Sequence, residues 1–143
     1  MQTVYLISCA AEKSASRVPA EYLYCSTLFE KARAYVLRNI GPGDSWYILS
    51  AKHGLLRPQT EVEPYDETLN KMPKADRQLW SERVIGELHG LLHAGDTVVF
   101  LAGTKYREFL EPALLTLGCE ILVPMRSMRI GQQLSWLEKK GHI

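Results

Sequence analysis

Apolar residues gather in four short runs, Val4 to Ser8, Trp46 to Ser50, Thr97 to Ala102 and Glu120 to Val123, each ending where small or polar residues begin. Such near-continuous hydrophobicity suits strands covered on both faces, because a half-exposed sheet alternates apolar and polar positions. Between the runs the spacing changes to that of helices. Leu28, Ala32, Tyr35, Val36 and Leu37 give one helix its apolar side, Thr27 and Glu30 have the spacing of a capping box at its start, and Gly41-Pro42-Gly43 stops it. Trp80, Val84, Leu88 and Leu91 mark a second helix from near Pro73 to Leu92. Thr104 is placed to cap a third, which Pro112 kinks or divides, and a last helix is expected from Gln132 to Lys140.

This alternation predicts a compact three-layer α/β domain spanning residues 1–143, with a mostly parallel sheet of about four strands joined by right-handed crossovers. Ligands of such sheets meet the loops after the strand carboxyl ends. Here those loops are Ser8-Cys9, Ser50 to Leu55, Ala102 to Arg107 and Pro124 to Gly131. The arrangement is Rossmann-like, but the dinucleotide glycine fingerprint and the P-loop ending are both missing. Two connections, Ala10 to Tyr24 and Leu56 to Met72, are long enough to be lids or binding loops.

Composition narrows the partners. The 143 residues carry 17 Lys+Arg against 16 Asp+Glu, a net charge of +1, so the bulk electrostatic footprint of a duplex or membrane binder is missing. A local positive cleft remains compatible with that balance. Cys9, Cys25 and Cys119 are odd in number and widely spaced, which argues against a disulfide framework and a zinc knuckle. No run approaches the roughly 18 apolar residues of a membrane span, and no signal-peptide pattern opens the chain. A cytoplasmic protein is expected, without membrane partner, with its oligomeric state open.

The densest chemical cluster is Ser50-Ala51-Lys52-His53-Gly54, directly after a strand. It sets a hydroxyl, a cation, an imidazole able to titrate near neutrality and a glycine turn side by side. The same residues also make an ordinary turn with Lys52 in solvent. Tyr65 and Asp66 follow the rigid Pro64, so Asp66 is a candidate base or orienter of His53, or simply the start of a turn. Gly103, Tyr106 and Arg107 after the third run offer close backbone approach, a stacking ring and an anion contact. After the fourth run, Arg126 and Arg129 with Gly131 before a helix can complete an anion pocket, with Gln132 or Gln133 reading a polar ligand edge; the same basic loop also makes an ordinary solvated face. Near the first run, Ser8, Cys9 and Lys13 are ligand-binding candidates; no neighbour along the chain marks Cys9 as a nucleophile. His53, His89, His93 and His142 form no metal-ligand pattern, so neither a metal site nor a cofactor is expected.

The string Ile48-Leu49-Ser50-Ala51-Lys52-His53-Gly54-Leu55-Leu56-Arg57-Pro58, followed by Pro64-Tyr65-Asp66, resembles a bacterial and phage domain family of unknown function, distantly similar to the peroxide-stress protein YaaA. Ser8-Cys9 with Lys13, Leu23-Tyr24 with Ser26, Leu101-Ala102-Gly103 with Tyr106-Arg107, and Ile130 to Leu134 with Trp136-Leu137 extend the resemblance over nearly the whole chain. YaaA-like proteins are associated with protection of DNA during oxidative stress and with nucleic-acid binding. This chain carries Lys52-His53 where they usually have an apolar residue and a tyrosine, and it is much shorter. The resemblance implies a shared pocket without naming its substrate.

The leading expectation is an enzyme that processes a nucleobase, nucleotide or locally exposed nucleic-acid base by cleavage or transfer at an N-glycosidic bond. That chemistry needs a stacking surface, an anion-tolerant cleft and a carboxylate that stabilises positive sugar charge or activates water. Asp66 is the candidate carboxylate and His53 the proton shuttle, with Tyr106 the stacker and Lys52, Arg107 or Arg129 the anion contacts. A nucleotide or nucleic-acid binding module without turnover, and a structural protein of a phage or mobile-element assembly, are the alternatives.

Overall fold

The computed structural model describes residues 1–11 and 13–141. In chain order the elements are β1 (Thr3–Ser8), β2 (Val18–Pro19), α1 (Ala20–Leu23), α2 (Thr27–Asn39), β3 (Ser45–Ser50), β4 (Gly54–Leu56) and β5 (Glu61–Val62). A 3-10 turn (Leu69–Lys71), α3 (Lys74–His89), β6 (Thr97–Leu101), α4 (Thr104–Arg107), α5 (Leu110–Leu117), β7 (Glu120–Leu122) and α6 (Ile130–Gly141) complete them.

β1 pairs in parallel with β3 on one side and β6 on the other, and β7 extends the sheet beyond β6. All four strands lie where the apolar runs predict them. Alternation along the strands feeds two cores. Tyr5, Ile7, Trp46, Ile48, Val99 and Leu101 pack with Phe29, Ala32, Val36 and Leu137 of α2 and α6. Val4, Leu6, Tyr47, Leu49, Val98 and Phe100 meet Trp80, Val84, Leu88, Leu110 and Leu114 of α3 and α5 on the opposite face. Both faces are covered, giving three layers, as continuous hydrophobic strands require.

Among the described residues the sheet has five strands, where the apolar runs predict about four. After Ser50 the chain turns through Gly54, whose φ of +70° lies in the left-handed region, and returns as the antiparallel edge strand β4. A Cβ on Gly54 would lie 2.5 Å from Glu87 Oε1 on α3, so the glycine also lets that helix pack against the edge. Two helix starts differ from the expected caps. Ser26, not Thr27, is the N-cap of α2, its Oγ accepting from Phe29 N at 3.1 Å. Gly103, not Thr104, is the N-cap of α4, and Pro112 falls in the first turn of α5, where a missing N–H costs nothing.

The two long connections brace each other. β2 pairs antiparallel with β5, while Ala20 N and Glu21 N donate to Thr60 O and Pro58 O. At the amino ends of β1 and β6, buried Asp96 accepts from Gln2 N at 3.1 Å, Gln2 Nε2 at 3.1 Å and His93 N at 2.9 Å. The backbone bonds from Gln2 and His93 hold its carboxyl below the ordinary 3.8. A carboxylate with a depressed native pKa contributes stability above its unfolded pKa and loses it as pH falls through the native one. Asp96→Asn is expected to cost about 1–3 kcal/mol at pH 7. In urea melts at several pH values, that difference should shrink below roughly pH 4; a gap unchanged down to pH 2 counts against this role.

Candidate functional site at the sheet switch point

β1 is followed by a crossover to β3 on one side, whereas β6 lies on its other side. Chain direction therefore diverges between the carboxyl ends of β1 and β6, the place where open parallel sheets leave a crevice. A cleft of about 420 Å³ occupies it. Ser8 and Cys9 come from the end of β1, Gly103 and Tyr106 from the turn after β6, and Asn70 and Gln133 from the 3-10 turn and α6. Leu28 and Phe29 from α2, with Met125 and Ile130, supply apolar wall. Among the described residues, none lining this cleft is an acid, lysine or arginine.

Cys9 is half-buried, with Sγ 3.3 Å from the Tyr106 hydroxyl, to which Leu69 N also donates at 3.4 Å. Beside it lies a chain of buried hydroxyls. The oxygens of Tyr24 and Tyr65 are 2.5 Å apart, and Tyr65 is 2.7 Å from Ser50 Oγ, which accepts from His53 N at 3.0 Å. Trp80 Nε1 donates to the Ser50 carbonyl at 2.8 Å and fixes the strand end below the chain. Burial pushes Tyr24 up to about 12, and raises Tyr65 and Tyr106 as well, with the neighbouring Cys9 adding to each. The three phenols are therefore protonated hydrogen-bonding groups at neutral pH. Lys13 Nζ stands 4.5 Å from the centroid of the Tyr65 ring and donates to Ala11 O at 3.4 Å.

The other predicted residues distribute unevenly. His53 packs edge-on to Tyr65 with ring centroids 5.4 Å apart, and burial, then Lys52 and Arg83, hold its imidazole below 6.5, so it is neutral at pH 7. Asp66 is exposed and makes no hydrogen bond or ion pair among the described residues; Glu67, not Asp66, is the acid whose charge acts on His53. Lys52 is exposed, its carbonyl accepting from Arg83 at 3.1 Å, and Gly54 faces α3 rather than the cleft. Arg107 is buried beside the cleft, bonded to Ala102 O at 2.8 Å and Glu111 at 2.5 Å. Arg129 is exposed, and its backbone N–H donates to Gln132 Oε1 at 2.8 Å, so Gln132 caps α6 while Gln133 faces the cleft.

Thr68 and Asn70 also line the cleft, although nothing in the sequence points to them as ligand residues; Ser26 is named only in the resemblance, and of the two amides Gln132 and Gln133 it is Gln133 that lines the cleft. A place in the long connection from Leu56 to Met72 is the only signal that Thr68 and Asn70 carry. Tyr24, the inner end of the hydroxyl chain, entered only through the resemblance. No group of three or more metal-ligating side chains occurs among the described residues, and His142 lies outside them.

The fold and this crevice define a doubly wound α/β protein with a ligand-sized cleft at its switch point, uncharged among the described residues that line it. Residues 4–139 match DUF6884, described as a family of unknown function, and the chain belongs to that family. No curated protein and no solved structure matches the chain.

Proposed function

We propose that the protein takes a nucleobase, free or as part of a nucleotide, into the switch-point cleft. The observation that carries this reading is the cleft itself, about 420 Å³ between the carboxyl ends of β1 and β6 and lined by apolar side chains, hydroxyls and amides. Phe29, Leu28 and Met125 suit the faces of a flat ring, while Asn70 and Gln133 provide amides that read its polar edge. The side chains of Ser8 and Asn70 have no hydrogen-bond partner among the described residues, so both are available to a ligand. The resemblance to YaaA-like proteins adds a nucleic-acid base as one form of that ligand. Three free cysteines accord with a cytoplasmic setting, and no helix among the described residues is long and apolar enough to cross a membrane.

Cleavage or transfer at the N-glycosidic bond is the second reading. It is favoured by Asp66 and Glu67 on the connection that supplies Thr68 and Asn70 to the cleft wall, a source of carboxylate that the described lining residues lack. Calorimetric titration with the common nucleobases, nucleosides and 5′-monophosphates should find a ligand with Kd below about 1 mM. Chromatography of the same mixtures separates the readings: release of free base selects catalysis, and intact ligand selects binding alone. Failure of every member to bind at millimolar concentration would overturn the proposal.

A further inference from the structure

A second, smaller cavity of about 130 Å³ lies against the first and shares Ala102, Gly103, Met125 and Gln133 as walls. Its volume is several times the roughly 30 Å³ share of one water, room enough for a tetrahedral oxyanion. The two spaces differ in chemistry. The large cleft has no charged lining residue among those described, whereas the small one is lined by Arg107, Thr104 and Ser127. Ser127, at a left-handed φ of 64°, turns the backbone between Arg126 and Met128 along its wall.

Arg107 is unusual in two respects. Its side chain is 8% exposed, yet its five N–H hydrogens have only three acceptors among the described residues, Ala102 O, Glu111 Oε2 and a distant Thr104 Oγ1 at 3.4 Å. Glu111 is also shared, because Arg126 donates to its second oxygen at 2.7 Å. Burial pushes the Glu111 carboxyl up, but the bonds from Arg126 and Arg107 outweigh that and leave it ionised. Two guanidinium groups thus share one carboxylate, a surplus of one positive charge for the three side chains, and Arg107 keeps spare donors at the wall of a cavity that opens beside the base cleft. A desolvated cation with unused N–H groups is the arrangement that phosphate recognition uses.

We infer that this chamber is the subsite for a phosphate carried by the ligand, so that a nucleotide rather than a free base or nucleoside fills the two spaces together. The inference rests on the base-binding reading of the large cleft. The division of labour is simple: the large cleft holds the ring, and the Arg107 chamber holds the phosphate.

The test compares each nucleoside with its 5′-monophosphate on the full chain, alongside inorganic phosphate followed by amide NMR. The monophosphate should bind at least tenfold tighter than its nucleoside, and inorganic phosphate should shift the Ser127 amide and the Arg107 Nε–H. Arg126→Gln, at a half-exposed position, should weaken only the monophosphate. Glu111→Gln should tighten it several-fold while lowering the melting temperature, an opposition of signs that a purely structural ion cluster would not produce. A dinucleoside monophosphate bound as tightly as the mononucleotide assigns the phosphate to a nucleic-acid chain, and weaker binding assigns it to a free nucleotide; either keeps the subsite. Equal affinity for nucleoside and monophosphate, with no shift from inorganic phosphate, overturns the subsite and leaves the base cleft standing. Phosphate shifts without any nucleoside or nucleotide binding overturn the base reading and the proposed linkage, leaving an anion site alone.

Discussion

Replacing Gly103 by leucine is expected to reduce nucleobase or nucleotide binding at least tenfold, while the melting temperature stays within about 2 °C of the parent. Gly103 has φ near −71°, which any residue adopts, and a Cβ built there meets no atom within 4 Å. The substitution therefore strains nothing. The side chain would stand where the two cavities share a wall, taking the room of the ring, of the phosphate, or of both. Gly131→Leu is the control, because its Cβ is also unobstructed but the residue lines neither cavity. Calorimetry on both variants decides: unchanged binding in Gly103→Leu places the ligand elsewhere, and equal loss in both makes the effect unspecific.

Tyr65→Phe is expected to destabilise the protein by about 2–3 kcal/mol, because one missing oxygen removes a partner from two other buried hydroxyls. Tyr24 is 1% exposed and Ser50 is fully buried, so neither recovers its lost bond from solvent. Tyr24→Phe removes the end of the chain and leaves the Tyr65–Ser50 contact in place, so its cost should be nearer 1 kcal/mol. Urea unfolding of the two variants measures that order. A Tyr24→Phe cost equal to or above that of Tyr65→Phe would show that Tyr65 is not the centre of the network. The expected loss in Tyr65→Phe corresponds to a fall of about 4–12 °C in melting temperature, using the scale of a domain of roughly 150 residues.

Much of the architecture is legible along the chain because it depends on local periodicity. Strands β1, β3, β6 and β7 coincide with the four apolar runs, and α2 and α3 with the spacings of Leu28 to Val36 and Trp80 to Leu88. β4 escapes because Gly54–Leu56 is three residues long and pairs only after the chain has reversed. The β2–β5 pair escapes because Val18 and Val62 meet across more than forty residues, and two-residue strands have no period of their own. At the site, Ser8, Cys9, Gly103 and Tyr106 were recognisable because strand carboxyl ends are where parallel sheets place ligand groups.

Asp66 shows where linear reading stops. It follows Tyr65 directly, yet Tyr65 turns inward to Ser50 and Tyr24 while Asp66 faces solvent. Adjacency along a chain does not determine which side chains share a pocket. The layers, the parallel strands and the end of the sheet that carries the cleft can be read along the chain, since each follows from hydrophobic period and connection type. It takes the folded chain to show that the crevice opens between β1 and β6, that Tyr24 joins Tyr65, and that Arg107 shares Glu111 with Arg126 beside a second cavity. Those relations depend on strand order and on contacts between distant segments, and packing of the whole chain sets both.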